Sequence, residues 1–319
     1  MHPHFRVPTY REPGLMDRSM LEKAFDPRAG LMFQFIDGAR LLAEDMDRIG
    51  SFDAWIWPSL NPAQLLACAR AQSPRPVAGC IHTEPGFDSP ADGTFWRYAF
   101  VTAIDAGLEF RSGALTPELA LAYTMICPEA PTRQLPSYFD AAAEICPRSG
   151  LQRIGFFGHQ QRGEKGHGLL SVIIPKLLDQ GYQVLLHDSS AMPLSGKHER
   201  LEVLGYEEDL GIQMRRCDLI VVPYQAESYR QRGSGIVWEA IANGIPLVAP
   251  ERTAPGHLIG ALGCGCLFGE ASVDAILGAI RQAHAVYTTL AIQATTANRR
   301  WAEAQGIGPF IDRLLSANG

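Results

Sequence analysis

The chain has 319 residues, of which 46% are hydrophobic and 19% are charged, enough for two domains of ordinary size. Its 28 Lys and Arg residues are outnumbered by 34 Asp and Glu residues, so it lacks the basic surface that non-specific nucleic-acid binding requires. No apolar run approaches the roughly 20 residues that cross a bilayer, and the N-terminus lacks the pattern of a secretory signal. We therefore expect a globular, cytoplasmic protein without a transmembrane segment, for which peripheral membrane contact stays open.

Short apolar runs alternate with amphipathic stretches from Phe52 onward, a pattern typical of βαβ units on a parallel sheet. The predicted fold class is therefore α/β. Thr116 followed by Pro117 supplies an N-cap and a first-turn proline for one of the helices. In the first half we predict strands at 54–57, 77–81 and 108–110 and helices at 62–71, 94–106 and 117–125.

Residues 127–150 contain four prolines and no sustained periodicity, which indicates a connection between two domains. The βαβ pattern then restarts, and the predicted divisions are 1–148, 149–284 and a helical segment at 285–319. The predicted strands of the second half are 153–157, 183–187, 219–223 and 246–249. The predicted helices are 166–180, one ending near 216, 234–243 and 273–286.

The seven cysteines are odd in number and scattered through apolar contexts, which indicates reduced, buried thiols. The closest pair, Cys264 and Cys266, has no second Cys or His pair at zinc-site spacing. We therefore expect no metal site here and interpret residues 263–266 as a tight turn.

The first candidate site follows the strand at 153–157. The strand ends in Gly158, a polar loop carries Arg162 and Lys165, and Gly166 opens a helix. Glycine lets backbone N–H groups approach an anion, and a helix N-terminus with two cations can neutralise a diphosphate. The loop has neither the Walker nor the dinucleotide-binding pattern. It is either another kind of phosphate site or a polar loop with solvated charges.

The second candidate site follows the strand at 219–223. A loop carrying Glu227 leads to Ser234 and Gly235, which start a helix whose free N–H groups face the same cleft. Glu239 lies one turn inside this helix. A carboxylate there suits a pair of ribose hydroxyls, and it equally suits the positive end of the helix dipole.

Together the two stretches resemble the donor-binding domain of GT-B glycosyltransferases of the GT4 type. That family has a G…R…K-G loop before a helix, followed by a D-x-x-x-x-P-S-x-x-E…E-A-x-A-x-G-x-P element. The matching residues are Gly158, Arg162, Lys165 and Gly166 in the first element and Asp218, Pro223, Glu227, Glu239, Ala240, Ala242, Gly244 and Pro246 in the second. The resemblance covers about residues 155–269. It implies two Rossmann-like domains facing a central cleft, with a C-terminal helix that crosses back to the N-terminal domain.

The spacing of the two glutamates departs from the family pattern. Eleven residues separate Glu227 from Glu239 where the family has seven, and Gln231 stands at the family's position for the first glutamate. Either residues 229–232 are an insertion, which the frame from Pro223 to Glu227 favours, or the carboxylate has been replaced by an amide. Arg230 and Arg232 in this segment could reach the donor phosphates or face solvent.

In the first half, the strand at 77–81 ends at His82. The family has a histidine near the transferred sugar after an equivalent strand. The resemblance therefore implies that His82 hydrogen-bonds a sugar hydroxyl or stabilises charge there, and that Glu227 is the second catalytic residue. His159 and His187 also end strands and are weaker candidates. The family's glycines near the acceptor are missing from the first loop at residues 10–12.

The resemblance implies an enzyme that transfers a sugar from a nucleotide-diphosphate sugar to a glycan, lipid or small-molecule acceptor, with retention of the anomeric configuration. We expect no metal and no other cofactor, because cations and helix N-termini can carry the charge of the diphosphate. Two alternatives stay open. One is a related protein that binds a saccharide or a partner without turnover, which the altered glutamate spacing suggests, and the other is a nucleotide-sugar epimerase of the same architecture.

Overall fold

The computed structural model describes residues 27–49, 53–71, 75–85, 92–145, 147–159, 163–189 and 198–316. These residues form two separate parallel sheets with helices packed on them. The α/β class predicted from the alternating pattern is therefore confirmed. Arg162 and residues 10–12, which the sequence analysis singled out, lie outside the described residues.

The first sheet has four parallel strands in the order β1-β2-β3-β4. Its strands are β1 (Trp55–Trp57), β2 (Val77–Ile81), β3 (Phe110–Ala114) and β4 (Arg133–Gln134). Its helices are α1 (Pro27–Ile49), α2 (Pro62–Arg70), α3 (Asp92–Asp105) and α4 (Pro117–Ile126). Thr116 caps α4 as predicted, because its hydroxyl accepts a hydrogen bond from the N–H of Leu119.

The third strand lies further along the chain than the predicted 108–110. A turn at Ala106 and Gly107 places Leu108 against the end of α3, where its N–H donates to the carbonyl of Ala103. The chain therefore becomes extended only at Phe110, which pairs with Val77. The apolar composition of residues 108–110 did not indicate this shift, because Leu108 is buried in the turn and not in a strand.

The second sheet has six parallel strands in the order β10-β9-β8-β5-β6-β7. Its strands are β5 (Arg153–His159), β6 (Gln183–Asp188), β7 (Leu201–Leu204), β8 (Leu219–Val221), β9 (Leu247–Pro250) and β10 (Gly265–Phe268). Its helices are α5 (His167–Asp179), α6 (Leu210–Met214), α7 (Gly235–Ala242), α8 (Ala254–Leu262), α9 (Val273–Ala285), α10 (Tyr287–Ala304) and α11 (Ile307–Leu315). The sequence analysis did not predict α1, β4, β7, α8 or β10.

The interpretation of residues 263–266 as a tight turn is wrong. Only Gly263 turns the chain, and the following residues form β10, the edge strand that pairs with β9. A Cβ atom on Gly265 would overlap the carbonyl oxygen of Leu247, so glycine is needed for the two strands to approach. The six cysteines of the described ranges are buried and reduced.

The last helix, α11, packs on the first sheet, which confirms the predicted crossing. It contacts β2 and β3, and Phe310 and Leu314 lie buried there. The ring of Phe310 meets Tyr138 edge-on, with centroids 5.7 Å apart. The helix begins at Ile307, whose N–H donates to the carboxylate of Asp140 at 3.0 Å.

One apolar core joins the two halves. It contains Ala78 and Cys80 of the first sheet, Ile220 of the second, and Leu314 of α11. Because this core lies between the sheets, their relative position is fixed by packing. Within the described ranges, no helix combines the length and the apolar composition that crossing a bilayer demands. The domain limits at residues 148 and 284 stay predictions.

We expect Leu314→Ala to lower the free energy of unfolding by about 2–5 kcal/mol, because it opens a cavity in the core between the sheets. Leu315→Ala on the same helix is the matched control, since Leu315 is 39% exposed. It should cost about 0.5 kcal/mol or less. Denaturant unfolding of both variants measures the difference, and equal stability would contradict the docking of α11.

Candidate functional site

The carboxyl ends of the two parallel sheets meet at one cleft. The loop after β3 reaches the loop after β8 through Thr116, whose hydroxyl donates to the backbone carbonyl of Gln231. A second contact joins Glu118 of α4 to His257 of α8, with 2.8 Å between Oε1 and Nδ1. Open parallel sheets bind ligands at the carboxyl ends of their strands. The cleft between these loops is therefore the candidate site.

The loop after β5 folds back over the end of its own strand. The ammonium group of Lys165 donates to the carbonyl oxygen of Gly158, at 2.7 Å. Lys165 ends a short 3₁₀ helix, Gly163–Lys165, and Gly166 follows it as the N-cap of α5. A positive charge is thus held beside a helix N-terminus, the arrangement that binds anions. Three of the four residues predicted for this loop are brought together, and Arg162 lies outside the described residues.

Gly166 is fixed by its surroundings. Its φ of +74° lies in the left-handed region, and a Cβ atom there would overlap the carbonyl oxygen of Pro223. The neighbouring Glu164 accepts at its backbone carbonyl from the N–H of Gln225, at 2.9 Å. The loop after β5 therefore packs directly on the loop after β8.

His187, at the end of β6, connects two loops of the site. Its Nδ1 accepts a hydrogen bond from the N–H of Gly158, at 3.2 Å, and its ring also hydrogen-bonds the backbone of Gly205. Burial lowers the pKa of His187, partly offset by the charges of Glu207 and Asp188. The neutral ring that results can accept from Gly158. His187 is thus placed as a positioning residue, and the strand-end signal in the sequence had already marked it.

The N-terminus of α7 is built on buried aromatic side chains. The Ser234 hydroxyl caps α7 by accepting from the N–H of Val237, and it lies 3.0 Å from the hydroxyl of Tyr224. The ring of Tyr224 stacks on Tyr229 with centroids 4.0 Å apart. Gly235 is the first residue of the helix, as predicted. A second set of helix N–H groups is therefore presented at the cleft.

Glu239 lies on α7 and faces another helix. Its carboxylate accepts a hydrogen bond from the N–H of Gly211, in the first turn of α6. Burial raises the pKa of Glu239, and the charge of Asp209 adds to the effect. The structure places Glu239 at the contact between α6 and α7. This carboxylate is half-buried and not simply solvated near its own helix dipole.

Glu227 and Arg230 are paired at the surface. Glu227 begins the 3₁₀ helix Glu227–Tyr229, its side chain is 83% exposed, and its carboxylate accepts from the guanidinium of Arg230. The Arg230 side chain is 65% exposed. The structure therefore places neither side chain among the groups described above.

Arg232, two residues further, is buried. Its guanidinium carbon lies 4.3 Å from the centre of the Tyr229 ring, and its Nη2 lies 3.9 Å from Oε1 of Glu164. Stacking of arginine on an aromatic ring is favourable when the pair is desolvated. The segment at 229–232 therefore turns inward at its end and brings a cation beside the loop after β5.

His82 follows β2 on the opposite side of the cleft. Its Nε2 lies 2.7 Å from the carbonyl oxygen of Pro58. A carbonyl can only accept, so Nε2 of His82 donates the proton of this hydrogen bond, and Nδ1 is left as the ring nitrogen for a ligand. The ring lies edge-on to Tyr138 at 6.5 Å. Burial raises the pKa of Tyr138.

Comparison with known proteins identifies this arrangement. Residues 152–285 match the family model described as "Glycosyl transferases group 1". This segment contains both loops of the candidate site, so the predicted resemblance of this part of the chain to glycosyltransferases is confirmed. No curated protein sequence shows significant similarity to the chain.

Solved structures match nearly the whole chain. HepE from Anabaena, in complex with UDP, is 16% identical with a TM-score of 0.63, over 93% of this chain and 87% of that chain. A glycosyltransferase from Rickettsia africae is 13% identical with a TM-score of 0.64, over 91% and 81%. A variant of Staphylococcus aureus TarM, in complex with fondaparinux, α-GlcNAc-glycerol and UDP, is 16% identical with a TM-score of 0.64, over 87% and 58%. At these identities the likeness shows the fold, and the predicted GT-B fold is confirmed.

We expect Gly166→Ala to lower the free energy of unfolding by about 2 kcal/mol or more, because alanine is strained at positive φ and would press on Pro223. Gly163→Ala in the same loop is the control, since nothing lies within 4 Å of its Cβ position. It should change stability by less than about 1 kcal/mol. Denaturant unfolding of both variants tests the contact, and a Gly166→Ala variant as stable as the control would disprove it.

Proposed function

We propose that this protein, whose second half resembles a group 1 glycosyltransferase domain, transfers a sugar from a UDP-sugar to an acceptor hydroxyl. The observation that carries the proposal is the ammonium group of Lys165, held at the end of β5 beside the N-terminus of α5. The UDP bound to HepE and to TarM supports UDP as the nucleotide.

The diphosphate would bind between the loops after β5 and β8. Lys165 supplies a positive charge, and the N–H groups that begin α5 and α7 supply donors. Arg162 is proposed as a further phosphate ligand. As the bond from the sugar to the diphosphate breaks, negative charge grows on the leaving group, and fixed donors stabilise it. We therefore propose that no metal ion is needed.

The nucleoside would lie along the contact between α6 and α7. Glu239 is half-buried there and its carboxylate is fixed by the N–H of Gly211. One carboxylate can accept hydrogen bonds from two adjacent ribose hydroxyls.

The transferred sugar would lie between His82 and the loop after β8. Nδ1 of His82 is left for a ligand and suits a sugar hydroxyl. The backbone carbonyl of Gln231 accepts from Thr116 of the other half, which places residue 231 at the cleft and supports the amide replacement. The exposure of Glu227 argues against the insertion that the sequence frame favoured. Retention of the anomeric configuration is carried over from the family resemblance.

We expect Lys165→Ala to weaken UDP binding by about 1.5–3 kcal/mol, roughly ten- to more than a hundredfold, because a charged hydrogen bond to phosphate is lost. Lys176→Ala is the matched control, since Lys176 lies exposed on α5. The affinity of Lys176→Ala for UDP should stay within about twofold of the wild-type affinity. Calorimetric titration with UDP measures both, and equal affinities in two folded variants would rule out the phosphate site.

The two glutamate alignments predict opposite rankings. If the amide replacement holds, Gln231→Ala should slow UDP release from the active donor by at least about tenfold, while Glu227→Gln stays within about twofold of wild type. Release from a panel of UDP-sugars, with and without acceptors, measures the rates. The reverse ranking would support the insertion.

The same panel of UDP-sugars distinguishes a transferase from the two alternative functions, a binding protein and an epimerase. UDP binding without release under any condition would indicate a binding protein, whereas a change in the donor sugar without release would indicate an epimerase. Release that is insensitive to EDTA would support metal independence.

A further inference from the structure

One oxygen of the Glu84 carboxylate lies in an energetically unfavourable environment. It lies two residues beyond His82, past the carboxyl end of β2. Its Oε2 is buried and has no hydrogen-bond partner in the part of the chain that the structure describes. Burial raises the pKa of Glu84, although its own backbone N–H and the charge of Arg232 oppose the shift. An unsatisfied buried carboxylate oxygen costs stability, so its presence calls for an explanation.

The segment that carries Glu84 is fixed by other residues. Tyr123, which is fully buried, donates from its hydroxyl to the carbonyl of Thr83 at 3.0 Å. His82 is tied to Pro58 in the same loop region. Two hydrogen bonds, one to the carbonyl of Thr83 and one from the side chain of His82, therefore hold the two residues that precede Glu84. Preorganised polar groups of this kind are typical of binding sites.

Glu84 lies past the carboxyl end of β2, at the edge of the first sheet that borders the cleft. The positive charge of Arg232 lowers the pKa of Glu84, and Nη2 of Arg232 lies 3.9 Å from Oε1 of Glu164, which immediately precedes Lys165. Glu84 is thus at the same cleft as the proposed diphosphate site. An acceptor has to enter this cleft, since the sugar to be transferred is attached to the diphosphate.

We propose that Glu84 binds the acceptor, and that its Oε2 accepts a hydrogen bond from a carbohydrate hydroxyl. This inference rests on the proposed function. An ionised carboxylate only accepts, so it matches a hydroxyl donor, and it repels a phosphate. A carboxylate at this position therefore favours an uncharged hydroxyl, such as that of a sugar acceptor, over a phosphate.

The test compares Glu84→Gln with the control Glu129→Gln, which removes a 56% exposed carboxylate from the same half of the chain. Methyl α-glucoside is the probe. Its binding in the presence of UDP is followed by saturation-transfer NMR, and its effect on UDP release from the active donor gives the acceptor KM. Calorimetry with UDP and a thermal melt are recorded for each variant.

Glu84→Gln should weaken glucoside binding and raise the acceptor KM by at least about tenfold, while UDP affinity stays within about twofold. Its melting temperature should stay equal or rise, because an unpaired buried charge has been removed. The control should match wild type in every measurement.

Unchanged glucoside binding in Glu84→Gln, no glucoside binding to wild type, or a parallel loss of UDP affinity would each overturn the role of Glu84. A wild-type protein that binds the glucoside through Glu84 but releases no UDP from any donor would refute the proposed transferase and leave Glu84 as a carbohydrate-binding residue.

Discussion

The apolar core between the two sheets determines how the site is assembled. Phe310 and Leu314 of α11 pack on β2 and β3, and the chain reaches them only after the second sheet is complete. This return fixes the two halves with the carboxyl ends of their strands across one cleft. Without it, His82 and Lys165 would belong to separate surfaces, since no described strand joins the sheets.

A buried charged group at the cleft costs stability. One oxygen of the Glu84 carboxylate is buried and has no hydrogen-bond partner among the described residues. Burying a polar atom without a hydrogen bond is unfavourable, and a bound ligand can supply the missing partner. The unpaired oxygen of Glu84 therefore supports a binding role for this part of the cleft.

Apolar runs and helix caps in the sequence predicted the elements that depend on residues close together in the chain. The strand at Val77–Ile81 was predicted with its observed limits, and Thr116 caps α4 as expected, because apolar runs and caps act within a few residues. These local patterns failed where contacts between residues distant in the chain determine the secondary structure. The third strand was displaced by packing of Leu108 under a turn, and Cys266 lies in a strand because β9 offers it a partner. The surface location of Glu227 could not be predicted, because it lies in a loop without hydrophobic periodicity.

The sequence by itself determined the α/β class, the glycine-flanked loop that ends with Lys165, and the similarity of the second half to glycosyltransferases. These depend on residue type and spacing along the chain. Only the tertiary structure decided that Glu227 pairs with Arg230 at the surface, that Arg232 turns inward, and that one oxygen of Glu84 is buried without a partner. The reason is physical: whether a charged side chain is solvated or buried depends on neighbours from both sheets, and those neighbours are distant in the chain.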